Sequence, residues 1–151
     1  MTEFLAITDS LSVSHQIDTD DIERAAKNGI GMIINNRPDG EEGGQPTNAS
    51  LAEAAEKQGV RWVHIPVVGG QLTMEGIEQM ALALKDGEDQ KGGKTLAFCR
   101  TGTRSCTLWG LAEAFIGGLA TDEILARGAK AGYDLSGMAP TLEHLRQNAG
   151  D

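Results

Sequence analysis

Four residues, Arg100-Thr101-Gly102-Thr103, separate Cys99 from Arg104 in the run Phe98-Cys99-Arg100-Thr101-Gly102-Thr103-Arg104-Ser105. A short apolar stretch ends at the cysteine, a small polar loop with one glycine follows, and a helix-forming segment begins at the arginine and serine. A strand-to-helix turn of this kind aims backbone N–H groups and a helix dipole at one point. It is a cradle for an anion, whether phosphate, arsenate, sulfate or a sulfane-sulfur donor. The same field, with Arg104 beside it, favours Cys99 as thiolate and predicts a lowered pKa and a nucleophile at neutral pH.

Each of these residues also has a plainer reading. A free cysteine packs well as a small buried hydrophobe, but the arginine five positions on, the Gly102 turn and the following helix favour a nucleophile. An arginine in the first turn of a helix opposes the dipole unless an anion sits beside it, so Arg104 is read as anion-binding. Arg100, Thr101, Gly102, Thr103 and Ser105 complete the cradle, through side chains or through N–H groups alone. Ser105 either caps the helix or hydrogen-bonds Cys99. Cys106, in the first helical turn, is a packing residue or a resolving thiol.

The bulk composition bounds what such a site can serve. A length of 151 residues suits one domain, 1–151, with a sizeable core. With 22 acidic against 13 basic side chains the net charge is −9, a field that repels nucleic acid and anionic lipid. Any bound anion is then held by local geometry. The N-terminal residues lack a basic leader and an adequate apolar run, and no segment approaches the roughly 20 apolar residues of a membrane span. Two cysteines seven apart build no disulfide framework, which points to a reducing, cytoplasmic compartment. His15, His64 and His144 show no metal-ligand spacing, and nucleotide-cofactor glycine loops are absent, so the reading includes no metal and no cofactor. Oligomeric state is open.

The elements that must position the loop are legible from capping and periodicity. Phe4–Thr8 and Leu11–Val13 read as a hairpin broken by Asp9-Ser10. Asp18 caps a helix through Lys27 that Asn28-Gly29 stops. Ile30–Ile34 is a buried strand running into Asn35-Asn36-Arg37-Pro38-Asp39-Gly40, strong turn chemistry. Glu41–Ala49 reads as a surface loop, Ser50 as the cap of a helix from Leu51 to about Gln58, and Arg61–Val67 as a strand interrupted by Pro66. Thr73 caps a helix with Ile77, Met80, Ala81 and Leu84 on one face, and Asp86–Lys94 reads as a charged turn. Thr95–Phe98 is the strand before the loop, followed by helices Ser105–Ile116, Asp122–Ala131 capped by Thr121, and Pro140–Gln147. His64, Trp62 and Trp109 read as packing residues. Strands alternating with helices predict an α/β three-layer sandwich, a mainly parallel central sheet with helices on both faces.

Asn35-Asn36-Arg37-Pro38-Asp39-Gly40-Glu41-Glu42, Pro66-Val67 and Phe98-Cys99-Arg100-Thr101-Gly102-Thr103-Arg104-Ser105 together resemble the phosphatase-like domain of beta-lactamase hydrolase-like proteins. This is a domain-of-unknown-function family within the protein tyrosine and dual-specificity phosphatase superfamily. The resemblance covers roughly Phe4 to Tyr133. It implies a dual-specificity-phosphatase-like fold with a cysteine nucleophile on its anion loop. Members of the family have also been labelled sulfur transferases.

Two departures from the superfamily pattern bear on the reaction. Phosphatases there separate cysteine and arginine by five residues and place a histidine before the cysteine. Here four residues intervene, the loop length of rhodanese sulfurtransferases, and Phe98 precedes Cys99. The superfamily's general-acid aspartate, roughly 30 residues before the cysteine, corresponds to Pro66–Thr73, which holds no carboxylate. Glu75 is close but suits the first helical turn as dipole partner. Asp39, Glu41 or Glu42 are the substitutes, and Arg37 either pins loop carbonyls or binds substrate. Three functions follow. The first is a phosphatase-like hydrolase with a covalent Cys99 intermediate and a small anionic substrate. The second is a sulfurtransferase working through a Cys99 persulfide, and the third a non-catalytic anion-binding or redox-sensing module.

Overall fold

The computed structural model of the protein describes residues 2–68, 71–90 and 92–149. Five strands form one sheet in the order β1-β2-β5-β3-β4: β1 (Leu5–Ala6), β2 (Leu11–Ser14), β3 (Ile30–Asn35), β4 (Arg61–His64) and β5 (Lys94–Phe98). β2, β5, β3 and β4 run parallel, and β1 closes one edge antiparallel to β2 as the expected hairpin. Their register fixes the site. Phe98 pairs with Ser14 on one side and with Asn35 on the other, and Asn35 pairs with His64. All four parallel strands therefore finish on one line, and the loops leaving them converge in the crevice where α/β sheets bind ligands.

Alternation along the strands feeds two cores. Ile33, Leu96 and Phe98 face α1 (Thr19–Lys27) and α2 (Asn48–Lys57), packing with Ile22, Ala25, Leu51 and Ala55. Met32, Ile34 and Ala97 face α3 (Met74–Asp89) and α4 (Thr103–Ile116), where Met80, Leu108, Trp109 and Leu111 meet them. α5 (Thr121–Lys130) and α6 (Ala139–Gln147) cover the outer side of α4, α6 being entered through a tight turn at Ser136–Met138 with Pro140 in its first turn. The three-layer α/β arrangement read from the sequence is the fold. No helix among the described residues is long and apolar enough to cross a membrane. Trp109 is 1% exposed at the centre of the larger core. Trp109→Ala is expected to cost about 3–5 kcal/mol through the cavity it leaves, read as a lowered urea midpoint.

Four local expectations are corrected by tertiary contacts. α2 starts at Asn48 rather than Leu51, because Thr47 is the cap, its hydroxyl accepting from the Ser50 N–H at 3.1 Å, while Asp39 accepts from the Asn48 N–H at 2.7 Å. α3 runs on to Asp89, through the stretch read as a turn. Gly87 continues the inward stripe after Met80 and Ala83, and a Cβ there would strike the Thr95 hydroxyl and lie 3.1 Å from the Met32 sulfur. Lys91, in the same stretch, lies outside the described residues. Thr121 is the first helical residue of α5 rather than its cap, and its hydroxyl donates to Glu143 instead. The strand read as Arg61–Val67 ends at His64, since Pro66 has no N–H to give. Ile65 and Val67 nevertheless donate to the Asn35 and Asn36 carbonyls at 2.9 Å each.

Candidate active site

The Cys99 loop is the link between β5 and α4, and its conformation depends on Gly102. This residue has φ +91°, a left-handed conformation that disfavours any side chain, and it stands at the N-cap with no side-chain cap of its own. Its N–H donates to the Cys99 sulfur at 3.0 Å, and its carbonyl accepts the first helical bond, from the Cys106 N–H. Neighbouring elements clamp the loop. The Gln16 N–H donates to the Arg100 carbonyl at 3.2 Å, the Tyr133 hydroxyl to the Thr101 carbonyl at 3.1 Å, and the Asn36 N–H to the Phe98 carbonyl at 2.9 Å. Cys99 itself is fully buried.

Ser105 neither caps α4 nor bonds Cys99. Its buried hydroxyl donates to the Asn36 side-chain oxygen at 2.8 Å, and the Asn36 amide donates to the Ile65 carbonyl at 2.9 Å, tying α4 to the ends of β3 and β4. The Thr101 and Thr103 hydroxyls pair with each other at 3.0 Å and both residues are exposed, so what these positions offer an anion is backbone. Cys106 is fully buried, and burial, with the charge of Cys99 adding to it, pushes its thiol up to about 12. It keeps its proton at neutral pH and packs as a hydrophobe.

Arg104 occupies the first turn of α4 with the anion that its position demands. The anion belongs to the protein. Glu41 accepts from Arg104 Nη1 at 2.7 Å and from Nη2 at 2.8 Å, while the Val67 carbonyl accepts from Nη1 at 2.7 Å. Glu41 Oε1 also accepts from Arg37 Nε at 2.9 Å. Arg37 is 2% exposed, and its Nη1 and Nη2 reach Gln16 at 3.0 Å and Glu42 at 2.9 Å. Of the two roles read for Arg37, pinning loop carbonyls or binding substrate, the first is altered, since its acceptors are two carboxylates and an amide oxygen. Arg37, Glu41, Glu42, Arg100 and Arg104 line an open cavity of about 540 Å³, where Arg100 stays largely exposed, 3.7 Å from Glu42. Asp39 is drawn away to the α2 N-terminus. Asn36, Gln16 and Tyr133 are contributors that sequence reading passed over. Asn36 lay inside the Asn-Asn-Arg-Pro run, whereas nothing local marks Gln16 or Tyr133.

The electrostatics follow the contacts. Hydrogen bonds from Arg104 first, then from Arg37, outweigh burial and hold Glu41 at about 2, against an ordinary 4.5. Arg104 is raised in turn, chiefly by its bonds to Glu41 and then by the charge of Cys99, with burial opposing. Because the folded value of Glu41 lies below its unfolded one, its stabilising contribution is complete above pH 4.5 and disappears as the pH falls through about 2. Urea midpoints measured from pH 6 down to pH 2 are expected to fall more steeply for wild type than for Glu41→Gln. Glu75 sits exposed in the first turn of α3, as a dipole partner would. Within Pro66–Thr73, where the general acid is expected, Gly69 and Gly70 lie outside the described residues. Among the described residues no group of three His, Cys, Asp or Glu side chains could hold a metal ion.

Known proteins share this architecture. Residues 3–116 match the family model described as beta-lactamase hydrolase-like protein, phosphatase-like domain. A beta-lactamase hydrolase-like protein of Xylella fastidiosa strain 9a5c is 36% identical over 137 residues, covering 91% of this chain and 31% of that protein. The chain thus spans about a third of the length of that longer relative. Among solved structures, a candidate phosphatase from Neisseria meningitidis Z2491 superposes with a TM-score of 0.78 at 35% identity, covering 95% of this chain and 98% of that one. Kinase associated phosphatase, carrying serine for its catalytic-site cysteine, superposes with a TM-score of 0.72 at 15% identity over 98% and 94% of the two chains, a likeness of fold alone. With its five-stranded, mostly parallel sheet and a family match over most of its length, the chain belongs to the phosphatase-like domain family of beta-lactamase hydrolase-like proteins.

Proposed function

We propose that the chain is a cysteine-dependent hydrolase of small phosphate esters. The observation that carries this reading is the Cys99 sulfur accepting from the Gly102 N–H at 3.0 Å at the head of α4, with Arg104 in the same turn. The Cys99 thiolate attacks phosphorus while loop N–H groups and Arg104 hold the equatorial oxygens, and the ester oxygen leaves with the bonding pair. Water then attacks the thiophosphate, releasing inorganic phosphate and the thiolate. Proton supply to the leaving group is the weak step. Asp39 is occupied at α2, Glu41 is held ionised, and Glu42 pairs with Arg37 and Arg100. Aryl esters whose phenolate leaves unprotonated are therefore the substrates of choice.

One observation favours sulfur chemistry as a second reading. Four residues between Cys99 and Arg104 make a smaller ring of amides than five, better fitted to a terminal sulfur carried as a Cys99 persulfide. The two are separated by assaying one sample against p-nitrophenyl phosphate and against thiosulfate with cyanide. Release of p-nitrophenol without thiocyanate supports hydrolysis, and the reverse result replaces it with sulfur transfer. Binding of phosphate without turnover of either would leave a non-catalytic anion module.

A further inference from the structure

A guanidinium carries five N–H donors in a fixed plane. On Arg104 three of them go to protein oxygens, two to the Glu41 carboxylate and one to the Val67 carbonyl. The two left over are Nε–H and one hydrogen on Nη2, neighbours along one edge of the plane. Such an edge binds two oxygens of a single tetrahedral anion side by side. Glu41 is held in turn by Arg37 Nε, and Arg37 is anchored at its far nitrogens by Gln16 and Glu42. The β3–α2 loop thus holds Arg104 in place through Glu41.

We propose that Glu41, locked by Arg37, is a positioning residue that presents one edge of Arg104 to the transferred phosphoryl group. The carboxyl keeps its charge throughout the neutral range, so it acts as a fixed anion rather than a proton donor. Its placement also answers the opposition between a first-turn cation and the α4 dipole, letting Arg104 stay at the helix head before any substrate arrives. The role given to Arg104 rests on the hydrolase reading above, but half of the test requires no turnover.

Wild type, Glu41→Gln, Glu41→Asp and Arg37→Lys are compared by calorimetric binding of tungstate, a tetrahedral oxyanion, and by kcat and KM on p-nitrophenyl phosphate. Glu41→Gln is expected to weaken tungstate about tenfold and to lower kcat about 10- to 100-fold with a smaller change in KM, as misplacement of a group that acts on the transition state does. Glu41→Asp recovers part of both losses. Arg37→Lys shifts both in the same direction, and adding it to Glu41→Gln costs less than the separate effects combined. Equal loss of unfolding midpoint in all variants, with tungstate affinity and the kcat to KM balance untouched, overturns the proposal in favour of a merely structural pair. Tighter tungstate binding by Glu41→Gln overturns it too, because Glu41 would then be competing with the anion. So does a loss confined to esters with poor leaving groups, which would make Glu41 the proton donor. If wild type hydrolyses no ester but Glu41→Gln still weakens tungstate, the positioning role stands and the hydrolase reading falls. Should Glu41→Gln fail to fold, Arg37→Lys gives the same readouts, since it loosens Glu41 without removing a carboxylate.

Discussion

Cys99→Ser is expected to lower kcat on p-nitrophenyl phosphate by at least about 10³-fold, as removal of a covalent nucleophile does. The unfolding midpoint should change little. The substitution exchanges one small buried atom for another, so packing is kept, and the Gly102 N–H retains an acceptor. What is lost is nucleophilicity. A serine hydroxyl needs a neighbouring base to be activated, and His64, at the end of β4, is engaged by its Nε2 with the Arg37 carbonyl at 3.0 Å. Acid-quenched wild type should carry phosphate on Cys99, and the serine variant none. Anion affinity should rise in Cys99→Ser, because the thiolate's like charge no longer faces the bound phosphate. Retention of near-wild-type turnover by Cys99→Ser would remove the covalent mechanism altogether.

Gly102→Ala should damage both the fold and the cradle. A Cβ at this residue would collide with the Tyr133 hydroxyl oxygen and stand 2.9 Å from Tyr133 Cζ and 3.2 Å from the Ser14 carbonyl. The left-handed backbone adds its own penalty for any L side chain, and strain and crowding together are worth about 2–5 kcal/mol. Relief by backbone movement would turn the Gly102 N–H away from Cys99 and shift the head of α4, so tungstate affinity should drop along with the urea midpoint. Tyr133→Phe in the same chain should restore only part of the stability. It removes one clashing atom but leaves the ring carbon and the Ser14 carbonyl in place, and it gives up the bond to the Thr101 carbonyl. A Gly102→Ala variant with unchanged midpoint and unchanged anion affinity would show that the loop does not depend on this conformation.

Much of the scaffold was legible because its signals are local. Asp18 caps α1 through a reciprocal pair with Asp21, three residues on, and Thr73 caps α3 through Gly76. Where local reading went astray, a distant partner had intervened. Gly87 looks like a helix breaker in isolation, yet its missing side chain is what lets α3 lie against Thr95 and Met32. Ser50 looks like a cap until Asp39 satisfies the Asn48 N–H and moves the helix start back. Ser105 has two nearby candidate roles in the sequence and takes neither, because Asn36, 69 residues away, offers a buried acceptor.

The Cys99 loop divides along the same line. Consecutive residues determined the cysteine at a strand end, the glycine turn, the arginine at a helix head and the four-residue spacing between them, because each depends on bonds within one helical turn. Tertiary structure decided what surrounds Arg104. Glu41 lies 63 residues before it and the Val67 carbonyl 37, and both arrive only because β3, β4 and β5 end in register. Parallel pairing sets that register through long crossovers, and no stretch of sequence near Arg104 encodes which carboxylate will meet it. Spacing alone therefore yields a cradle with one cationic wall. Aligned strand ends add the carboxylate that steadies that wall.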